Sequence, residues 1–85
     1  MNLVISPRVR KQLSKHPKSI QAKAKRQFDF LLVNYRHPSL RTRKMGGGEV
    51  FEARIDIHYR FTFQVEKDEI YILTIGPHDE GLGKK

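Results

Sequence analysis

The apolar residues of this chain change their period once, at the glycine run Gly46–Gly48, and that switch limits the folds open to it. Before the run they recur every three or four positions, as on one face of a helix; after it they alternate, as on one face of a strand. A chain that is helical first and stranded second becomes an α+β layer pair, in which the helices cover one face of a sheet. With 85 residues, 38% of them hydrophobic, there is apolar material for one core. The expectation is a single domain over residues 1–85, with 78–85 a short tail.

Within the first half, Leu3-Val4-Ile5 reads as a short strand. Ser6 then caps a helix and Pro7 suits its first position, predicting a helix over 7–15 with Val9 and Leu13 inward. Pro17 disfavours helical geometry at His16 and so separates a second helix over 17–35. Ile20, Ala24, Phe28, Leu31, Leu32 and Tyr35 form its buried stripe, while Lys18, Lys23, Lys25 and Arg26 lie mostly off it. Residues 36–48 read as a loop, and Gly46–Gly48 as a flexible lead-in to a hairpin. The glycine run is no phosphate loop, because it lacks the Lys-Ser/Thr ending and a strand follows where a helix N-terminus is needed.

Beyond the switch, residues 49–57 put Phe51, Ala53, Ile55 and Ile57 on one face and Glu52, Arg54 and Asp56 on the other. Residues 58–65 point Tyr59, Phe61, Phe63 and Val65 inward. A turn at Lys67-Asp68 leads to a more continuously apolar strand over 70–75, expected in the sheet interior. The predicted fold is therefore α+β: an N-terminal strand, a two-helix hairpin and a three-stranded antiparallel meander, in one twisted sheet with helices on one face.

Charge is unevenly placed. Residues 1–48 hold twelve Lys/Arg and one acid, Asp29, a balance of +11; residues 49–85 carry −3, leaving +8 in all. A concentrated positive field of this kind attracts phosphate backbones. A solvated lysine-rich helix surface, or an amphipathic helix lying on a membrane, would also be basic. The second is disfavoured because the apolar stripe is better used against a sheet. No cysteine is present, so disulfides and thiolate metal sites are excluded. His16, His37, His58 and His78 show no ligand spacing, and neither a metal nor another cofactor is expected. No apolar run approaches the roughly 18 residues of a membrane span, and no secretory leader is visible. The expectation is a cytoplasmic protein.

On the polar sheet face, a hairpin centred near Ile57 sets Arg54 opposite Arg60 and Glu52 opposite Thr62. Like charges directly opposite are unfavourable, a pairing that suits a site where an anion sits between them. Two solvated arginines on an open sheet are the plain alternative. His78 follows the last strand; it is either an inert surface histidine or a general acid–base group beside the arginines. Arg41, Arg43 and Lys44 can hold a nucleic-acid backbone near the sheet, and Lys23 and Arg26 extend the basic surface along the helix.

The chain resembles the RelE/ParE superfamily of bacterial type II toxins. The resemblance is carried by Pro38-Ser39-Leu40, Arg43-Lys44-Met45 with glycine, Phe51-Glu52-Ala53-Arg54-Ile55, His58-Tyr59-Arg60-Phe61-Thr62-Phe63 and Ile75-Gly76-Pro77-His78-Asp79. It implies a metal-independent endoribonuclease acting on mRNA in the ribosomal A site, held in check by a cognate antitoxin, with Arg60, Arg54 and His78 at the catalytic positions. The pattern departs in three places: no tyrosine follows Tyr71, Glu52 stands where some relatives carry lysine, and the sequence runs only a few residues past His78, so no C-terminal helix is expected there. A gyrase inhibitor of the ParE kind and an inactive RNA-binding homologue are the alternatives within the same resemblance.

Overall fold

A computed structural model describes residues 2–46 and 49–77. Its elements are β1 (Asn2–Ile5), α1 (Pro7–Ser14), α2 (Lys18–Val33), a 3₁₀ turn (Pro38–Leu40), β2 (Arg43–Lys44), β3 (Val50–Arg54), β4 (Tyr59–Glu66) and β5 (Glu69–Pro77). The α+β reading holds, with one refinement: the sheet has five strands in the order β1-β5-β4-β3-β2 and is mixed. The meander β3-β4-β5 is antiparallel, whereas β1, which leads into the two helices, pairs with β5 in parallel. That places β5 between two neighbours, which is why its sequence is continuously apolar.

Local chemistry sets the element ends. Ser6 Oγ accepts the Val9 N–H at 3.2 Å and starts α1 at Pro7 as the sequence predicts. α2 stops at Val33 rather than Tyr35, because Asn34 takes extended geometry and its Oδ1 accepts the Arg36 N–H at 3.0 Å. A short amide side chain thus offers the backbone a turn in place of another helical bond. Tyr35 still reaches the core from outside the helix, packing on Phe51 with ring centres 5.6 Å apart.

The segment read as a loop is more ordered than predicted. His37 Nδ1 accepts the Ser39 N–H and caps the 3₁₀ turn, Leu40 is buried, and Arg43–Lys44 adds a two-residue strand to β3. β5 runs from Glu69 to Pro77, beyond the 70–75 that the sequence predicts. Ile57 is a correction: it is 67% exposed instead of core-facing. Asp56 Oδ1 accepts the N–H groups of both His58 and Tyr59, and the tight turn so formed ends the strand alternation at Ile55.

The core lies between α1, α2 and one sheet face. Ala24, Leu31, Leu40, Ala53, Phe63 and Ile70 are fully buried, and Phe28 meets Phe61 edge to face at 5.1 Å. Each large side chain taken out of water here stabilises the fold by about 1.5–3 kcal/mol. No helix among the described residues is long and apolar enough to cross a membrane. With the core on one face of the sheet, the side chains of Glu52, Arg54 and Arg60 share the other.

Candidate active site

The register of the hairpin is the one the sequence predicts: Arg54 pairs with Arg60 and Glu52 with Thr62. Backbone polarity makes the arginine pairing tighter than the register alone implies. The Ile55 N–H bonds to the Tyr59 carbonyl, and the Met45 N–H bonds to the Val50 carbonyl on the other side of β3. Backbone groups alternate along a strand, so those of Val50, Glu52 and Arg54 point away from β4. Arg54 and Arg60 are thus a non-hydrogen-bonded pair, the closer of the two antiparallel spacings, with Cα atoms about 4.5 Å apart.

The two guanidiniums are held differently. Arg60 Nη1 donates to the carbonyls of Asp56 at 2.8 Å and of Tyr59 at 3.2 Å. Those two bonds use both Nη1 hydrogens and leave the Nε–Nη2 edge, a two-pronged donor, for another acceptor. Burial, and then the like charge of Arg54, draw the Arg60 guanidinium below its ordinary proton affinity; Glu52 and Asp56 oppose that shift. Arg54 Nε is buried with no hydrogen-bond partner among the described residues. An unmet buried donor beside a second arginine is a costly arrangement that an anion would satisfy.

Glu52 completes the cluster. It is 8% exposed, and its Oε1 accepts from Arg43 Nε at 3.0 Å. Among the described residues it is the one buried ionisable side chain. β2, read from sequence as loop, thereby brings Arg43 to the arginine face and shields the carboxylate.

The remaining basic residues divide between the faces. Lys23 reaches from α2 to Asp56 Oδ2 at 3.4 Å, tying the helix to the hairpin turn below Arg60. Burial raises the Asp56 carboxyl, but the His58 and Tyr59 N–H bonds and the Lys23 charge outweigh it and hold the group below the ordinary carboxylate value. Arg26 is exposed on α2, the layer opposite the arginine pair, and Lys44 lies in register with core-side Phe51. Arg41 is exposed in left-handed geometry, φ +49°. His78 lies outside the described residues. No group of three or more His, Asp or Glu among the described residues is arranged to hold a metal ion.

Two members of this region escaped the sequence reading. Glu52 was assigned only to the polar face, because its burial depends on the unforeseen β2. Gln27 is 7% exposed and donates to the carbonyls of Arg54 and Ser39. Its spacing was a usable signal: it stands three residues after Ala24 and four before Leu31, on the buried stripe.

No protein-family model and no curated protein matches this chain. Solved structures do. The chain is similar to the archaeal RelE–RelB complex from Pyrococcus horikoshii, at TM-score 0.79 and 24% identity, over 93% of this chain and 96% of that one. It is similar to the YoeB–YefM complex from Staphylococcus aureus, at 0.76 and 17%, over 92% and 97%. A YoeB/ParE toxin from Agrobacterium tumefaciens superposes at 0.79 with 13% identity, over 92% and 99%. The fold is that of the RelE and YoeB toxins.

Proposed function

We propose that this RelE-like fold belongs to the toxin of a type II toxin–antitoxin pair, one that cleaves mRNA on the ribosome and so inhibits translation in the cytoplasm. The observation that carries the reading is the Arg54–Arg60 pair, in which, among the described residues, the Arg54 Nε donor is unmet and the Arg60 Nε–Nη2 edge has no acceptor. Two guanidiniums at close cross-strand spacing suit the two non-bridging oxygens of a phosphodiester, whose charge grows as a nucleophile adds.

In the cleavage this supports, the ribose 2′-oxygen attacks the adjacent phosphorus while Glu52 accepts its proton. The bond to the 5′-oxygen breaks, and His78 supplies the proton that the leaving oxygen takes up. The products are a 2′,3′-cyclic phosphate and a 5′-hydroxyl end, and neither metal nor cofactor is required. Arg54 and Arg60 hold the five-coordinate phosphorane, Arg41 and Arg43 steer the strand beside them, and Lys44, at the edge strand on the other face, adds to the field that attracts it. The exposed basic side of α2, with Lys23 and Arg26, is the surface for ribosomal RNA or for the antitoxin. An antitoxin is the expected partner because the structural neighbours include RelE–RelB and YoeB–YefM complexes.

The test is primer extension on translating mRNA with wild type, Arg60→Ala and His78→Ala. Wild type is expected to produce discrete breaks and both variants to lose them. Toxic expression of wild type without any break would overturn the nuclease reading; inhibition of gyrase supercoiling in the same preparation would then identify the ParE-like alternative, and binding without either activity an inactive homologue.

A further inference from the structure

Gln27 sits at a point where the sheet runs out of partners. Extending the β2–β3 register, in which Arg43 faces Glu52, would set residue 41 opposite Arg54. Arg41 instead turns into left-handed geometry and β2 does not extend that far. The Arg54 carbonyl points away from β4, as the alternation above requires, and among the described residues no strand lies there to donate to it. Gln27 Nε2 fills the gap from α2, donating to that carbonyl at 2.8 Å and to the Ser39 carbonyl at 3.1 Å. Both acceptors are carbonyls, so the amide can only present its NH₂ end, and both of its hydrogens are used.

We infer that Gln27 is a positioning residue for the arginine pair, fixing the Arg54 backbone so that its guanidinium meets the same anion as Arg60. The inference rests on the phosphate-site reading above. Arg60 needs no such help, because its side chain is tethered at Asp56 and Tyr59. Arg54 has no comparable side-chain tether among the described residues, so its placement depends on the backbone beneath it. Gln27 suits this role among polar residues: glutamate lacks the N–H donors, and asparagine is one methylene shorter.

The test uses ¹⁵N-labelled full-length protein titrated with dimethyl phosphate, reading the Nε–Hε resonances of Arg54 and Arg60 and the Gln27 side-chain NH₂. In wild type all three are expected to move on one saturation curve, although Gln27 does not itself face the anion. In Gln27→Met, dimethyl phosphate is expected to bind about tenfold more weakly, with the Arg54 response diminished and the free-state Arg60 resonance unmoved. A purely structural role would lower the melting temperature and leave the affinity of the folded protein unchanged, which overturns the inference. Silence of both arginines in wild type overturns the phosphate-site reading, and this inference with it. Where Gln27→Met does not fold, wild type decides: a Gln27 NH₂ that stays still while the arginines shift overturns the positioning role alone, and one that moves with them supports it.

Discussion

Arg43 Nε donates to Glu52 Oε1 at 3.0 Å, joining a two-residue edge strand to the carboxylate that lies among the arginines. The arginine end of the pair is open to water and the carboxylate end is not, at 61% and 11% side-chain exposure. The bond therefore contributes less as an exposed ion pair than as cover for a buried negative charge.

Glu52→Gln separates these roles. It is expected to cost about 1 kcal/mol of stability, through a weakened bond to Arg43. The same change should strengthen phosphate binding, since an internal competitor for the arginines is neutralised. Cleavage should nevertheless fall by about 10²–10⁴-fold, the range for loss of a general base. Calorimetry, a phosphate isotherm and primer extension read the three effects; wild-type cleavage by the variant would remove Glu52 from the proposed chemistry.

Inorganic phosphate should stabilise the protein by mass action, by about 2.7 kcal/mol at a hundred times its dissociation constant. A domain of this size gains roughly 4–8 °C in melting temperature per kcal/mol. Arg54→Ala and Arg60→Ala should each abolish the gain. Lys25→Ala, on the exposed side of α2, should keep it. A scan of melting temperature against phosphate at constant ionic strength checks this, and equal shifts in all four proteins would mean a diffuse field effect rather than a site.

Asp56 gives the hairpin turn a defined acid sensitivity. Its folded-state carboxyl titrates below the ordinary value of 3.8, because the His58 and Tyr59 N–H bonds and Lys23 outweigh the effect of burial. A depressed carboxyl stabilises the fold fully above its unfolded value and loses that contribution as pH falls through the folded one. Asp56→Asn should thus be less stable than wild type at neutral pH, by about 1 kcal/mol, and the gap should narrow below pH 3.8. Denaturant titrations at neutral and acid pH measure it. A gap that does not change with pH would assign the effect to shape rather than charge.

What the sequence made legible was periodic or covalent. Ser6-Pro7 marked the first helix, the stripe from Ile20 to Leu31 marked the second, and alternation around Ile57 gave the Arg54–Arg60 register to the residue. What it hid came from contacts between segments distant in the chain. β2 forms where Arg43 and Lys44 pair with β3, and through it Arg43 reaches the buried Glu52. Ile57 kept the pattern of a core residue, but two N–H bonds to Asp56 placed it inside a turn. Gln27 was concealed by its polarity, since a polar residue on an apolar stripe is explained only by the carbonyls it meets.

Arg60 offers the sharpest test of how the anion is held. Its Nη1 is committed to two backbone carbonyls, so the guanidinium plane is fixed before any ligand arrives. A fixed fork presents Nε–H and Nη2–H to two oxygens together; an ammonium carries the same charge but has neither the tether nor the second prong. Arg60→Ala should lower cleavage by about 10²–10³-fold, the loss found for a preorganised donor to a developing oxyanion. If geometry dominates, Arg60→Lys should suffer most of that loss while binding single-stranded, non-cleavable 2′-deoxy oligonucleotide nearly as tightly as wild type. If charge alone matters, lysine should restore cleavage to within a few-fold, and the fork argument for Arg60 fails. Single-turnover rates on the two variants, set beside their oligonucleotide affinities, separate the cases.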